Sequence, residues 1–122
     1  MTTVEREEQV EQLVGRYAKA AMAHGRATEA GDHKKANRAY DELAAIYREL
    51  RRRGPDAQRA LLPLLNDPEP GVCAWAASHA LEFAPVEGEP VLRALESIPK
   101  SLVSFSAKMT LQQWREGKLQ FP

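Results

Sequence analysis

Trp75, His79 and Glu82 stand at steps of four and three in the sequence, so on a helix their side chains share one face. An imidazole beside a carboxylate can carry protons at neutral pH, and tryptophan is the side chain most enriched at the centres of binding surfaces. No nucleophile stands in fixed relation to His79, so proton transfer would have no reacting group to serve. The chemistry that remains is recognition, and Trp75, His79 and Glu82 are candidate partner-binding residues. A structural arrangement accounts for them more simply: Trp75 packed against the first or second helix, and His79 closing a hydrogen bond at a helix junction. No catalytic residue is assigned, and the chain is expected not to be an enzyme.

The second constellation is basic. The seventeen Lys and Arg residues balance the seventeen Asp and Glu residues, yet residues 31–60 hold eight basic and five acidic groups. Arg48, Arg51, Arg52, Arg53 and Arg59 fall in that stretch. Guanidinium groups bind phosphates and carboxylates bidentately, so Arg48 and Arg52 join the candidate partner-binding set. Cations at the end of a helix also stabilise its negative pole, which accounts for the same residues without a ligand. A net charge of zero supplies no general attraction to nucleic acid or to an anionic membrane.

His24, His33 and His79 lie on three different predicted elements and have no metal-ligand spacing. There is no glycine-rich phosphate loop and no nucleophile elbow. No metal and no cofactor are expected. The single cysteine, Cys73, has no partner for an internal disulfide and is expected as a small buried residue.

These side chains need helices to position them. Val10, Leu13, Val14, Tyr17, Ala20, Ala21 and His24 mark one stripe over about Val4 to Thr28. Ala36, Ala39, Tyr40, Leu43, Ile46, Tyr47 and Leu50 mark a second, introduced by Asp32 as an N-cap and stopped by Arg51-Arg52-Arg53-Gly54-Pro55. The short turn from Glu29 to His33 makes these two an antiparallel hairpin over residues 1–54. From Pro55 the chain continues as a third helix with Leu61, Leu62, Leu64 and Leu65, bent at Pro63. Asp67-Pro68-Glu69-Pro70-Gly71 turns it into a fourth, lined by Ala74, Ala76, Ala77 and Ala80. Glu87 to Ser97 and Leu102 to Glu116 complete a second pair, and Leu119 and Phe121 are expected to fold back onto the body. The fold class is all-α: about six helices in a single domain of 122 residues, with Leu43, Ile46, Leu61, Leu65, Val72, Ala76, Ala80, Leu81, Leu95, Leu111 and Trp114 in the core.

LLPLLNDPEPGVCAWAASHAL resembles a HEAT repeat, and PVLRALES to LQQWR resembles a second more loosely, so residues 55–122 are expected to form two HEAT-like repeats. Cys73 stands where many such repeats carry an arginine. IYRELRRRGPDAQRALLPLL, WAASHALEFAP and FSAKMTLQQWREGKLQFP are similar to a family of small bacterial proteins known as a domain of unknown function. That resemblance implies a bacterial source and a compact helical fold, and it transfers no catalytic residues.

No apolar run approaches the roughly 20 residues needed to cross a bilayer, and Met1 to Val10 is acidic where a secretory signal would be basic and then apolar. A cytoplasmic location away from membranes is expected. Stacked helix pairs offer a surface to a partner, so the expected function is a protein-binding module. By analogy of size and fold, its most concrete form is an immunity protein that neutralises a bacterial toxin domain. The alternative is a nucleic-acid-binding HEAT-like protein, against which two repeats and a neutral chain both count.

Overall fold

The computed structural model describes residues 1–122, all of them helix, turn or short connection. Six α-helices follow one another: α1 Thr3–Glu29, α2 His33–Arg53, α3 Pro55–Arg59, α4 Pro70–Phe83, α5 Pro85–Glu96 and α6 Leu102–Arg115, with a 3-10 helix over Leu62–Asn66. The fold is all-α, as the periodicity predicts. The chain forms two compact units, Met1–Leu61 with Pro122, and Leu62–Phe121.

In the first unit α1 and α2 form the predicted hairpin. The Thr2 hydroxyl accepts from the Glu5 amide to open α1, and the Asp32 carboxylate accepts from the Lys35 amide at 3.1 Å to open α2. Between them Gly31 adopts φ +72, a left-handed turn that a side chain would resist. Tyr17, Ala20, Ala21 and Ala27 of α1 are buried, together with Ala36, Ala39, Leu43, Ala44, Ile46, Tyr47 and Leu50 of α2. Tyr40, at the edge of the second stripe, stays 41% exposed. Gln58 of α3 donates to the Tyr47 hydroxyl at 3.1 Å, a buried polar pair that fixes α3 against α2.

Pro63 does more than bend the third helix. A proline ring clashes with the carbonyl four residues back and removes one helical donor. The carbonyl at that offset belongs to Arg59, where α3 ends, and the leucine run continues as the 3-10 helix. The first arm of the predicted repeat is therefore two short pieces.

The second unit pairs α4 with α5 and α5 with α6, in the manner of repeat units. α5 begins two residues earlier than the periodicity suggests, because Pro85 suits the first helical turn. Cys73, Ala77, Leu81, Leu92, Leu95, Ala107 and Leu111 form the core of this unit, with Leu65, Trp114, Leu119 and Phe121 partly buried against it. The tail does fold back as expected. Val72, Ala76 and Ala80 are fully buried as well, whereas Leu102, Phe105 and Met109 leave one face of α6 exposed.

α5 comes closest to α4 at Gly88. A Cβ built there would lie 2.7 Å from the Ala77 carbonyl oxygen and 3.1 Å from the Ala80 Cβ. Alanine is the better helix former by about 1 kcal/mol, but overpacking a tight contact costs about 1 to 3 kcal/mol, and the obstacle here is backbone. Gly88→Ala is expected to destabilise the fold by about 1 to 2 kcal/mol net. At Gly15, in mid-α1, an added Cβ meets nothing within 4 Å. Gly15→Ala is therefore expected to stabilise the protein by about 0.5 to 1 kcal/mol. Urea melts of the two variants check both signs, and a neutral Gly88→Ala would mean that α5 stands off from α4.

Candidate functional site

The candidate residues separate by unit. In the second, the Trp75 and His79 rings lie 5.6 Å apart between centroids, tilted by 36°. His79 is 3% exposed, Trp75 is half-buried and Glu82 is exposed. The spacing of four thus brings Trp75 and His79 into contact on one face of α4, with Glu82 at its solvent end. Cys73 is buried as expected, its thiol donating to the Pro70 carbonyl at 3.4 Å. Burial, aided by the nearby Asp67 charge, pushes that thiol's pKa upward, away from the reactive thiolate.

In the first unit the basic run is largely engaged by local partners. The Arg52 guanidinium grips Glu49 through both Nε and an Nη, and Arg53 reaches the same carboxylate at 3.2 Å. Arg53 also donates to the Gln9 side chain of α1 at 3.0 Å, tying the open end of the hairpin. Arg51 lies over the Tyr47 ring, 5.6 Å from its centroid, and donates to the Pro122 carbonyl. Arg48 is exposed, and the Arg52 side chain is 70% exposed despite its salt bridge. The run is a set of tethered side chains, and a ligand reaching Arg52 would compete with Glu49.

A larger feature lies along the hairpin. A groove of 910 Å³ runs between α1 and α2, floored by the methyl groups of Ala20, Ala23, Ala27, Ala30 and Ala39. Arg16, Lys19 and Arg26 stand on the α1 bank, Lys35, Arg38 and Glu42 on the α2 bank, and Asp32 in the turn. Five cations face two carboxylates in a chain whose charges cancel overall. Asp32 is engaged as the α2 cap, and Glu42 meets Arg16 at 3.7 Å, a long and exposed pair. Lys19, Arg26, Lys35 and Arg38 have no carboxylate partner within the chain. An apolar floor between unpaired cations suits an elongated ligand that carries negative charge on its flanks and carbon at its centre.

The sequence does carry a trace of this groove. Arg16, Lys19, Ala20, Ala23, Arg26, Ala27 and Ala30 recur at helical steps. Ala20 also belongs to the apolar stripe of α1, and alanines in such a stripe read as core. The sequence does not separate Ala23 and Ala30, which stay exposed along the groove, from Ala20, Ala27 and Ala39 beneath them, which the packing of α2 against α1 buries. No group of His, Cys, Asp and Glu side chains is placed to hold a metal ion, and no helix is long and apolar enough to cross a membrane.

The grip on Glu49 has a measurable consequence. Hydrogen bonding from Arg52, reinforced by Arg53, lowers the Glu49 pKa from 4.5 to about 2. Because the folded value is the lower one, the stabilisation from this carboxylate is fully present above pH 4.5 and is lost as the pH falls through about 2. A carbon-detected NMR titration of the Glu49 carboxyl is expected to give a midpoint near 2, moving up toward 4.5 in Arg52→Gln. A wild-type midpoint already at 4.5 would show that the arginine grip does not persist in solution.

Comparison with known proteins follows the same outline. The crystal structure of the protein RPA1889 from Rhodopseudomonas palustris CGA009 is similar over 93% of both chains, with a TM-score of 0.85 and 28% sequence identity. No curated protein matches the chain. Residues 11–114, from the third turn of α1 to the last turn of α6, match the family described as Domain of unknown function (DUF2019). The chain belongs to that family.

Proposed function

We propose that this chain is a non-enzymatic protein-binding module whose α1–α2 groove receives an acidic amphipathic helix of a partner protein. The observation that carries this reading is the groove's composition: methyl groups along the floor and unpaired cations on both banks. A helix laid between two others buries an apolar seam and sets charged side chains along its flanks, as in coiled coils. Aspartate and glutamate on those flanks would meet Lys19 and Arg26 on one side and Lys35 and Arg38 on the other. The alanine floor lets the incoming helix approach closely, as small residues do at helix contacts. A phosphodiester backbone would satisfy the cations but leave the methyl floor facing polar groups, so the groove favours protein over nucleic acid. Neutralisation of a bacterial toxin domain is the most specific form of this reading, and it selects toxins that expose an acidic helix. Trp75 and Arg52 are secondary contacts in this proposal. Trp75 is half-buried, and Arg52 would have to exchange Glu49 for a partner carboxylate.

A labelled helical peptide with a Leu/Ala seam flanked by glutamates is expected to bind in fluorescence anisotropy titrations. The double variant Lys19→Glu, Arg38→Glu is expected to weaken it by about 2 kcal/mol, the size of an interfacial hot spot. Binding should weaken as salt is raised, and the protein should show no turnover of common esters, phosphates or nucleotides. A 20-base-pair duplex assayed in parallel is expected to bind no better than about 10⁻⁴ to 10⁻⁶ M. Submicromolar, salt-dependent duplex binding abolished by the same variant would transfer the groove to nucleic acid. Failure of both ligands would remove the groove as a binding site.

A further inference from the structure

α6 is apolar on two opposite faces. Ala107 and Leu111 turn inward to the core of the second unit, while Leu102, Phe105 and Met109, at steps of three and four, stand on the side that faces away from it. Ile98 adds a fourth apolar side chain from the turn before the helix, and the four are 37 to 63% exposed. The outer side of a surface helix ordinarily carries charge. Here no carboxylate stands between Ser97 and Arg115, although the chain as a whole has as many acidic as basic residues. The charges in that stretch are Lys100, Lys108 and Arg115. Arg115 meets Glu89 at 3.6 Å, which leaves the exposed Lys100 and Lys108 to set the charge beside the apolar stripe. At about 100° per residue Lys108 flanks Phe105 and Met109. Lys100 adopts φ 54, a left-handed conformation that glycine enters more easily, so the turn holds a cation where backbone preference asks for none. Glu116 ends the stripe, its carboxylate taking Lys118 at 3.2 Å.

We infer that this face of α6 docks on an anionic lipid surface, with Ile98, Leu102, Phe105 and Met109 seated at the boundary of headgroups and acyl chains and Lys100 and Lys108 against the phosphates. Charge complementarity selects the occupant, because apolar side chains flanked by lysine, with no carboxylate among them, match an interface that is apolar within and negative at its edge. Lysine stems lie along apolar surface and carry the ammonium outward to the phosphate layer. Size and shape agree. The apolar side chains project from one helix and one turn, and a bilayer accepts such a ridge without a matching groove. At about 200 Å² for a side chain of this size, their exposed area is about 400 Å², half of the roughly 800 Å² that each partner brings to a specific protein interface. A second copy fits poorly, since α6 against α6 would gather four lysines with no carboxylate opposite. The helix lies along the surface and does not cross it, because its other face is committed to the core. Attraction to lipid is local and fades within a Debye length, so it acts in a chain of zero net charge. Four side chains give reversible, salt-sensitive attachment rather than an anchor. The lipid face lies in the second unit and needs nothing from the groove of the first.

Cosedimentation of the full chain with vesicles tests this, using phosphatidylcholine alone and an equimolar mixture of phosphatidylcholine and phosphatidylglycerol. The wild type is expected to pellet with the anionic vesicles at low salt, and to bind at least about tenfold more weakly at high salt or to the neutral vesicles. Leu102→Ser with Phe105→Ser, and separately Lys100→Glu with Lys108→Glu, are each expected to weaken binding to the anionic vesicles at least about tenfold. Val86→Ser removes an apolar side chain that is 83% exposed but stands on α5, and it is expected to bind as the wild type does. Circular dichroism melts confirm that these exposed substitutions leave the helices intact. Equal binding to neutral and anionic vesicles, or an equal loss in Val86→Ser, overturns the inference. Loss of binding in Lys19→Glu with Arg38→Glu, but not in the α6 variants, assigns the lipid to the groove and overturns it as well. A wild type that stays in the supernatant with both lipids also overturns it and leaves this face to a partner protein.

Discussion

Where α5 crosses α4, Gly88 lies so near the Ala77 carbonyl and the Ala80 methyl that no side chain fits between them. Close approach of helix axes, permitted by residues with almost no side chain, is the constraint on which the second unit depends. It draws α5 down until Leu92 and Leu95 join Cys73, Ala77 and Leu81 in one core, to which α6 adds Ala107 and Leu111. α4 tolerates this because it is apolar around most of its circumference, and such a helix must be covered on several sides. Its alanines are therefore contact surfaces as well as good helix formers.

The hairpin uses the same currency to a different end. Alanines let α1 and α2 close along their length, and those left at the rim become the floor of a groove. Around that floor the charges are arranged rather than balanced. At the open end of the hairpin Arg52 and Arg53 share the Glu49 carboxylate, while toward the turn Lys19, Arg26, Lys35 and Arg38 face solvent together. A net charge of zero conceals both facts, since a sum over the chain offsets the basic groove with acidic residues elsewhere. The relevant quantity for recognition is the field at the surface where a ligand sits.

Much of the fold was legible because local rules and packing agreed. Asp32 caps α2 as its side chain predicts, and Gly54 and Pro55 separate α2 from α3. Pro63 was legible in kind but not in degree. Its chemistry says that a helix is disturbed, and whether the chain bends or changes to 3-10 geometry depends on what the leucines around it must reach. Of the candidate residues, the helical spacing correctly joined Trp75 to His79. It could not say that His79 would be 3% exposed, because burial is decided by what packs on α4 from outside it. The groove stayed hidden for a related reason: an alanine in an apolar stripe has the same signature whether a neighbour covers it or stops just short.

The sequence by itself determined the helices, their caps and breaks, and the hairpin that opens the chain, since each follows from the steric and hydrogen-bonding preferences of a few adjacent residues. It also determined the acidic-to-basic order of residues along α1, which is covalent fact. Only the tertiary structure decided that Arg48 and Arg52 stand in solvent, that Arg52 and Arg53 are committed to Glu49, and that the unpaired cations gather on the banks of one alanine-floored groove. Those outcomes depend on which side chains from distant segments come within a few ångströms of each other. Such distances are set by the packing of whole helices and leave no periodic mark on the chain.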